Sequence, residues 1–182
     1  EKAEGTTLVL RHLGTGVETE YADAVSYHFS EDGSWLVYVS ASKDSTADGI
    51  RGIRTAAGDS VVLLEGSGDY KGVTIDESGR HVAFVTNRDS FTAKQPEYVL
   101  YHWRTGARSP RELAREGTPG LPEGWWVSEH GKLEFSKDGK RLFFGTAPRP
   151  EPEPESETPE DEKVVVDIWN WQDPHIQPRQ LK

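Results

Sequence analysis

Apolar runs broken by glycine turns recur along this chain and predict paired β-strands. Each of three segments has an apolar residue, a four-residue turn that ends in Gly, and a second apolar run. Asp-Gly or Ser-Gly at the end of each turn supplies the positive φ that a tight hairpin requires. The segments are 29–38 (FSEDGSWLVY), 75–84 (IDESGRHVAF) and 135–144 (FSKDGKRLFF), and their turn residues are Asp32, Gly33, Ser78, Gly79, Asp138 and Gly139.

Further strand-like runs accompany the hairpins. The first hairpin is followed by runs at 49–55 and 60–64, and the second by runs at 97–103 and 111–114. A short helix at 110–116 is the alternative for the last of these. The third hairpin is followed by 163–171, and all three are preceded by 6–12 and 17–21, which resemble the outer half of a repeat without its inner half. Four short strands per unit, with turn glycines 46 and 60 residues apart, are typical of propeller blades.

The predicted fold is all-β: a partial β-propeller of about three four-stranded antiparallel blades after a leading half-blade. The second strand of each hairpin is apolar at consecutive positions, so both of its faces need cover, and neighbouring blades would supply that cover. Because the chain opens on a half-unit and its last blade is truncated, we also expect self-association through uncovered blade faces. The predicted boundaries are a half-blade at 1–22, blades at 23–66, 67–116 and 130–182, and a connector at 117–129.

Negative charge is concentrated in one segment of the last blade. The 182 residues carry 21 Lys plus Arg against 31 Asp plus Glu, and seven of these acids lie between Glu151 and Glu162. Residues 148–162 alternate Pro and Glu, which predicts an extended, solvated loop. Binding of calcium or of a basic partner is the alternative, but a calcium loop requires a Gly that this segment does not contain.

Composition excludes several classes of protein. The acidic balance argues against nucleic-acid binding, and no apolar run approaches the roughly 18 residues of a membrane span. The absence of Cys excludes disulfides, thiol catalysis and cysteine zinc sites. The absence of Met leads us to interpret the chain as a processed or excised segment.

The sequence predicts no catalytic, cofactor or metal site. The nucleophile elbow Gly-x-Ser-x-Gly is absent, and Ser60 in Gly58-Asp59-Ser60 follows a predicted turn, so an esterase that uses Ser60 is a minor alternative. The histidines show neither an i, i+4 pair nor a carboxylate cluster at zinc-ligand spacing, and we expect them on strand faces or at the surface. They are His12, His28, His81, His102, His130 and His175.

Aromatic residues form the other suggestive group. Trp125 and Trp126 follow a Gly/Pro-rich stretch, and Trp169 and Trp171 share one face of a predicted strand. They could form a platform on which a ligand stacks, but we favour core and inter-blade packing, because large aromatic side chains dominate the buried area of all-β folds. Arg88 and Asp89 are expected to form a surface ion pair.

Two longer stretches carry a family resemblance. Residues 133–148 (LEFSKDGKRLFFGTAP), and 166–174 (VDIWNWQDP) followed by Gln177-Pro178, resemble the N-terminal propeller of bacterial serine peptidases of the prolyl oligopeptidase family. The turn motif by itself is shared with Tol-system and WD-like propellers. A scaffold propeller of that kind, with no enzyme attached, is therefore the alternative.

The resemblance implies a propeller of seven or eight blades that caps an α/β-hydrolase domain and admits peptides while it excludes folded proteins. The implied partners are that hydrolase domain, which this chain does not contain, and, through it, peptide substrates. The implied location is outside the cytoplasm. Dipeptidyl-peptidase relatives bind the substrate amino terminus with an adjacent Glu-Glu pair; no such pair occurs here, so that role is not transferred.

Overall fold

Antiparallel strands make up nearly all the regular structure of the described chain. The computed structural model describes residues 4–45 and 47–151. The chain divides into two compact units, Glu1–Pro150 and Glu151–Lys182, and every described element belongs to the first unit. The predicted strand 163–171, Trp169, Trp171 and His175 lie outside the described residues, as does all but the start of the acidic loop.

The first sheet contains five strands that pair in chain order. Its second strand is long and bends at Asp23, whose φ of 58° is accompanied by a register shift between Ala24 and Ser26. The first half of this strand pairs with the strand before it, and the second half pairs with the strand after it. The strands are β1 (Thr6–Arg11), β2 (Glu18–Phe29), β3 (Trp35–Ser40), β4 (Gly49–Arg54) and β5 (Asp59–Glu65).

The second sheet is a four-stranded meander. Its strands are β6 (Tyr70–Ile75), β7 (His81–Thr86), β8 (Val99–Arg104) and β9 (Arg111–Ala114), again paired in chain order. The weak fourth run therefore forms a strand and not a helix. A single 3₁₀ turn, Arg88–Ser90, lies between β7 and β8.

The described part of the third blade consists of two short strand pairs. The strands are β10 (Trp125–Val127), β11 (Glu134–Phe135), β12 (Leu142–Phe143) and β13 (Thr146–Pro148). β10 pairs with β13, and β11 pairs with β12. A bridge between Tyr98 and Val127 connects β10 to the second sheet.

The sheets stack face to face, which confirms the predicted partial propeller. We call the face of a sheet that is turned toward the blade before it in chain order its leading face. The face turned toward the next blade is its trailing face. The trailing face of the first sheet, with Trp35, Val37 and Val39, shares one apolar cluster with the leading face of the second, which includes Val82 and Phe84. Alternate residues of β7 instead face the third blade. Val85 belongs to a second cluster, which also includes Leu142.

Two predicted boundaries differ from the structure. The half-blade 1–22 does not separate from blade 23–66, because β2 runs without interruption from Glu18 to Phe29 and the positive φ at Asp23 bends this strand instead of ending it. The connector 117–129 contains β10, because Trp126 and Val127 are buried and pair with β13. The inner strand of the third blade thus begins before residue 130.

The first and third hairpin turns make the same side-chain hydrogen bonds, and all three turns have their glycine in the same conformation. In the first, the Ser30 hydroxyl donates to the Asp32 carboxylate at 2.6 Å and accepts the Trp35 N–H at 3.0 Å. The third turn repeats this arrangement with Ser136 and Asp138, also 2.6 Å apart. Gly33, Gly79 and Gly139 adopt φ values of 68°, 64° and 66°, so all three occupy the left-handed region that favours glycine.

The second turn exchanges the two polar residues without losing the contact. Asp76 occupies the position of Ser30 and accepts the His81 N–H at 2.7 Å, and the Ser78 hydroxyl donates to it. Burial raises the pKa of Asp76, but the hydrogen bonds from Ser78, His81 and Arg80 outweigh burial, and the net shift is downward. The hydrogen bonds to Asp32, of which the Ser30 hydroxyl contributes most, lower the pKa of its exposed carboxylate to about 2.

Two histidines meet where the second sheet contacts the third blade. His81 Nδ1 lies 2.9 Å from His102 Nε2, and Phe135 packs against both rings at centroid distances of 6.1 and 6.5 Å. A hydrogen bond between these nitrogens needs one N–H and one lone pair. Double protonation would therefore break the bond and place two cations side by side.

We expect this histidine pair to make the blade contact weaker in acid. Burial lowers the pKa of His102, the charges of His81 and Arg111 lower it further, and Asp76 opposes them. The unfolded chain, with a His pKa of about 6.5, then binds more protons than the folded chain, so the free energy of unfolding falls as the pH drops from about 7 to 5.

Urea unfolding at several pH values tests this expectation with His102→Gln. The variant should lose about 1 kcal/mol at pH 7.5, which is typical of one hydrogen bond, but its stability should fall less steeply toward pH 5. His28→Gln is the control for the separate effect of burial, which also lowers the pKa of His28. An unchanged pH slope in His102→Gln would contradict the prediction.

Candidate functional site

The clearest candidate site is the part of the first sheet's leading face that no neighbour covers. The residue four positions before each turn glycine points toward the preceding blade, and so does the residue six positions before it. In the second sheet these are Ile75 and Val73, which pack into the cluster shared with the first sheet; Val73 is only 9% exposed. In the first sheet they are Phe29 and Tyr27, which are 46% and 56% exposed.

The surroundings of the turn glycines also show that the leading face of the first sheet is open. A Cβ built at Gly79 lies 3.1 Å from Ser30 Cβ in the preceding blade, and one built at Gly139 lies 2.9 Å from Asp76 Oδ2. Each of these turns therefore packs closely on the turn before it. At Gly33 no atom of residues 4–45 or 47–151 lies within 4 Å of such a Cβ. No described residue therefore takes the place of a preceding turn.

A cavity of about 660 Å³ lies beside the Gly33 turn. Phe29 and Gly33 line it on one side, and the tip of the β1–β2 hairpin lines it on another with Leu13 and Val17. Leu13 and Val17 are themselves exposed apolar residues. The lining contains no Asp or Glu but includes Arg11 and His12 beside the apolar residues, so the cavity is a recess of mixed apolar and basic character in an acidic protein.

The β1–β2 hairpin covers a different part of the same face. Leu8, Leu10 and Tyr21 pack against Leu36, Tyr38 and Ile53, which lie on β3 and β4. This cover explains why both faces of β3 are buried. The hairpin leaves Tyr27 and Phe29 uncovered, so the open surface follows the second half of β2.

No nucleophile is assembled around Ser60. It lies on β5, opposite Ile53, and is exposed on a strand instead of occupying the sharp strand-to-helix turn that a hydrolase nucleophile uses. Asp59 pairs with Arg54 across the same two strands. The local geometry is that of an ordinary hairpin with Gly58 at its turn.

The described histidines have separate local partners. His12 accepts the Thr15 N–H through Nδ1 at 3.1 Å, and His130 lies 3.5 Å from Glu129 on the surface. Only His81 and His102 share a hydrogen bond. Within residues 4–45 and 47–151, no group of three or more His, Asp or Glu side chains could hold a metal ion.

Trp126 packs as an interior residue and not as a ligand platform. It is buried, and the Arg149 guanidinium lies 5.8 Å from its ring centroid. Trp125 is half-buried beside it. Arg149 also donates its backbone N–H to the Gly124 carbonyl and pairs with Glu116 at 3.2 Å, so these contacts anchor the start of the acidic loop.

Arg88 and Asp89 form the predicted ion pair at 2.7 Å, with two partners that the sequence did not indicate. The Tyr101 hydroxyl donates to Asp89 at 2.9 Å, and Arg115 lies 3.6 Å from the same carboxylate. Tyr101 comes from β8 and Arg115 follows β9, so only the folded sheet brings them together. Burial raises the pKa of Asp89, but hydrogen bonds from Arg88 and Tyr101 outweigh it, and the net shift is downward.

Several solved structures share this arrangement of blades. The tricorn protease superposes with a TM-score of 0.54 at 14% identity, over 77% of this chain and 13% of that chain. Hydrazine synthase of Kuenenia stuttgartiensis gives a TM-score of 0.51 at 15% identity, over 77% and 43%. The β-propeller domain of the Trilobed protease from Pyrococcus furiosus gives 0.47 at 14% identity, over 77% and 45%. This chain therefore spans less than half the length of each.

No protein-family model matches the sequence, and no curated protein matches it. The likeness at 14–15% identity is one of fold. No helix of the described residues is long and apolar enough to cross a membrane.

The exposure of Phe29 predicts that substitution there costs less stability than substitution at the equivalent position of the next blade. Phe29→Ser should change the free energy of unfolding by less than about 1 kcal/mol, because nearly half of the side chain stays exposed after folding and no second sheet packs on it in the described residues. Ile75→Ser, at the equivalent position of the next blade, should cost about 2 kcal/mol or more, because it removes packing against the first sheet. Urea unfolding of dilute samples measures both. Equal losses would show that Phe29 is covered in solution.

The turn glycines allow a second matched comparison. Gly33→Ala and Gly79→Ala introduce a Cβ at nearly the same φ, so each pays about 1–2 kcal/mol for the left-handed conformation. Gly79→Ala adds a close contact with Ser30, and we expect it to be about 1 kcal/mol less stable than Gly33→Ala. If the two variants unfold at the same urea concentration, the turns do not pack as described.

Proposed function

We propose that this chain is the noncatalytic propeller portion of an exported serine peptidase of the prolyl oligopeptidase type. In that role it restricts access and positions peptide substrates for a hydrolase domain elsewhere in the parent polypeptide. The observation that carries the proposal is the leading face of the first sheet, where Tyr27 and Phe29 are exposed and no described residue packs on the Gly33 turn. A blade with a vacant neighbour position is what a piece of a larger ring of blades would present.

The peptidase part of the proposal is supported by the sequence resemblance over 133–148. In the structure this segment forms β11, β12 and β13 with the Asp138-Gly139 turn. One of the solved structures with this arrangement of blades is itself a protease. Export from the cytoplasm is proposed from the resemblance alone.

The noncatalytic role is supported by how the reactive groups are used. Asp32, Asp76 and Asp138 hold the turns together, and Asp89 is engaged by Arg88 and Tyr101. Ser60 is exposed on β5. Chemistry in the parent would then belong to another domain, and these blades would supply shape and rigidity.

A scaffold propeller of the Tol or WD-like kind is the competing function, and the parent gene separates the two. A Gly-x-Ser-x-Gly motif encoded within a few hundred residues downstream would support the peptidase, since this motif exposes the nucleophile of α/β-hydrolases. A stop codon soon after the last blade would contradict the peptidase and favour the scaffold.

The purified chain should hydrolyse no peptide by itself. We expect proline- or alanine-containing peptide substrates to remain intact and a serine-reactive fluorophosphonate probe to leave the chain unlabelled. Ser60→Ala is the matched control, and it should behave identically. Hydrolysis with probe labelling, both lost in Ser60→Ala, would replace the proposal with an independent esterase.

A further inference from the structure

The two ends of the described blade stack are complementary apolar surfaces. Tyr27 and Phe29 are exposed on the leading face of the first sheet. At the other end, the Phe135 side chain contacts the second sheet. Side chains that neighbour it along and across the paired strands alternate, so Phe143, which pairs with Glu134, points to the opposite side. Phe143 lies on that trailing face and is 56% exposed. Its equivalents four residues after the turn glycines, Val37 and Ala83, are fully buried.

The stack also defines how one turn fits on the next. Gly79 lies against Ser30, and Gly139 lies against Asp76; in both pairs the second residue is three positions before its own turn glycine. Ser136 holds that position in the third blade, and no turn is packed on it in the part of the chain that the structure describes. Gly33 is the turn glycine with no turn before it. If the same contact formed between two copies of the chain, Gly33 of one copy would lie against Ser136 of the other.

Charge favours the same pairing. The first turn carries exposed Glu31 and Asp32. The third turn carries exposed Lys137, Lys140 and Arg141, against which Asp138 contributes one negative charge. An acidic leading turn and a net basic trailing turn attract each other, and complementary charges of this kind set the register of an interface.

We propose that copies of this chain associate head to tail, with the third turn of one copy packed on the Gly33 turn of the next. Phe143 then covers Tyr27 and Phe29, and Ser136 lies against Gly33. The contact joins different surfaces on the two copies, so it continues into larger assemblies unless a ring closes. This inference rests on the blade stack and not on the peptidase role, so either can fail without the other.

Single-cysteine cross-linking tests the contact directly, because the chain has no cysteine of its own. Gly33→Cys and Ser136→Cys are prepared as separate variants of different tag length, mixed, and oxidised. A Cβ–Cβ distance near 3.1 Å, as between Ser30 and a Cβ at Gly79, is close to the 3.5–4.5 Å of a disulfide. We expect the mixed dimer to form at least several times faster than either homodimer.

Two further variants make the cross-linking result interpretable. Ser30→Cys with Gly79→Cys in one chain should form an internal disulfide, which shows that the turn geometry permits the bond. Gly106→Cys, also at a positive φ with nothing within 4 Å, should not cross-link efficiently to Ser136→Cys. Equal yields from Gly106→Cys and Gly33→Cys, or a dominant Gly33→Cys homodimer, would overturn the proposal.

Sedimentation velocity provides a readout that needs no cysteine. The parent chain should show an average mass that rises with concentration and falls as NaCl is raised, because salt screens the turn charges. Phe143→Asp, at an exposed position, should remain folded and monomeric. A parent chain that stays monomeric at high concentration, or a Phe143→Asp variant that associates like the parent, would contradict the contact.

Discussion

Burial of single strands on both faces is the constraint on which the rest of this structure depends. β3 and β7 are apolar at consecutive positions, and in a pleated strand consecutive side chains point in opposite directions. One sheet cannot bury both sets. β7 is covered by a blade on each side. In its contact with the first sheet, the rings of Trp35 and Trp103 meet edge to face, with their centroids 5.3 Å apart. Stacking of one blade on the next therefore follows from the burial of β3 and β7.

Local sequence determined the strands and turns because their signals are local. The turn glycines, the Ser or Asp at either end of the turn and the apolar run that follows lie within ten residues, so the hairpins could be predicted without knowledge of the rest of the chain. The exchange of Ser30 and Asp32 for Asp76 and Ser78 shows how little the turn requires. It needs one hydroxyl and one carboxylate two residues apart, in either order, because the hydrogen bond between them is the same.

Features that depend on long-range packing could not be predicted from the local sequence. Asp23 bends β2 instead of ending it, and nothing in the run 17–29 distinguishes a bend from a boundary. β10 directly follows a Gly/Pro-rich stretch, and it forms a strand because Trp126 and Val127 are buried, not because of a repeating pattern. The candidate interface was anticipated in outline from the half-unit at the start. Its residues, Tyr27, Phe29 and Gly33, emerge only from comparison with their buried equivalents in the next blade.

Hydrogen bonding inside the turns accounts for the buried and ionised polar groups of the described blade stack. The carboxylates best placed for acid–base chemistry already accept hydrogen bonds within the fold: Asp76 is 2% exposed and receives two backbone N–H groups in addition to Ser78. Such bonds lower a carboxylate's pKa and tie it to the turn, whereas a general acid at neutral pH needs a raised pKa and access to substrate. Hydrogen bonds within the turns therefore keep these carboxylates ionised and unsuited to act as general acids at neutral pH, and the exposed features of the described residues are the uncovered aromatic pair, the recess beside Gly33 and the charged turns around them.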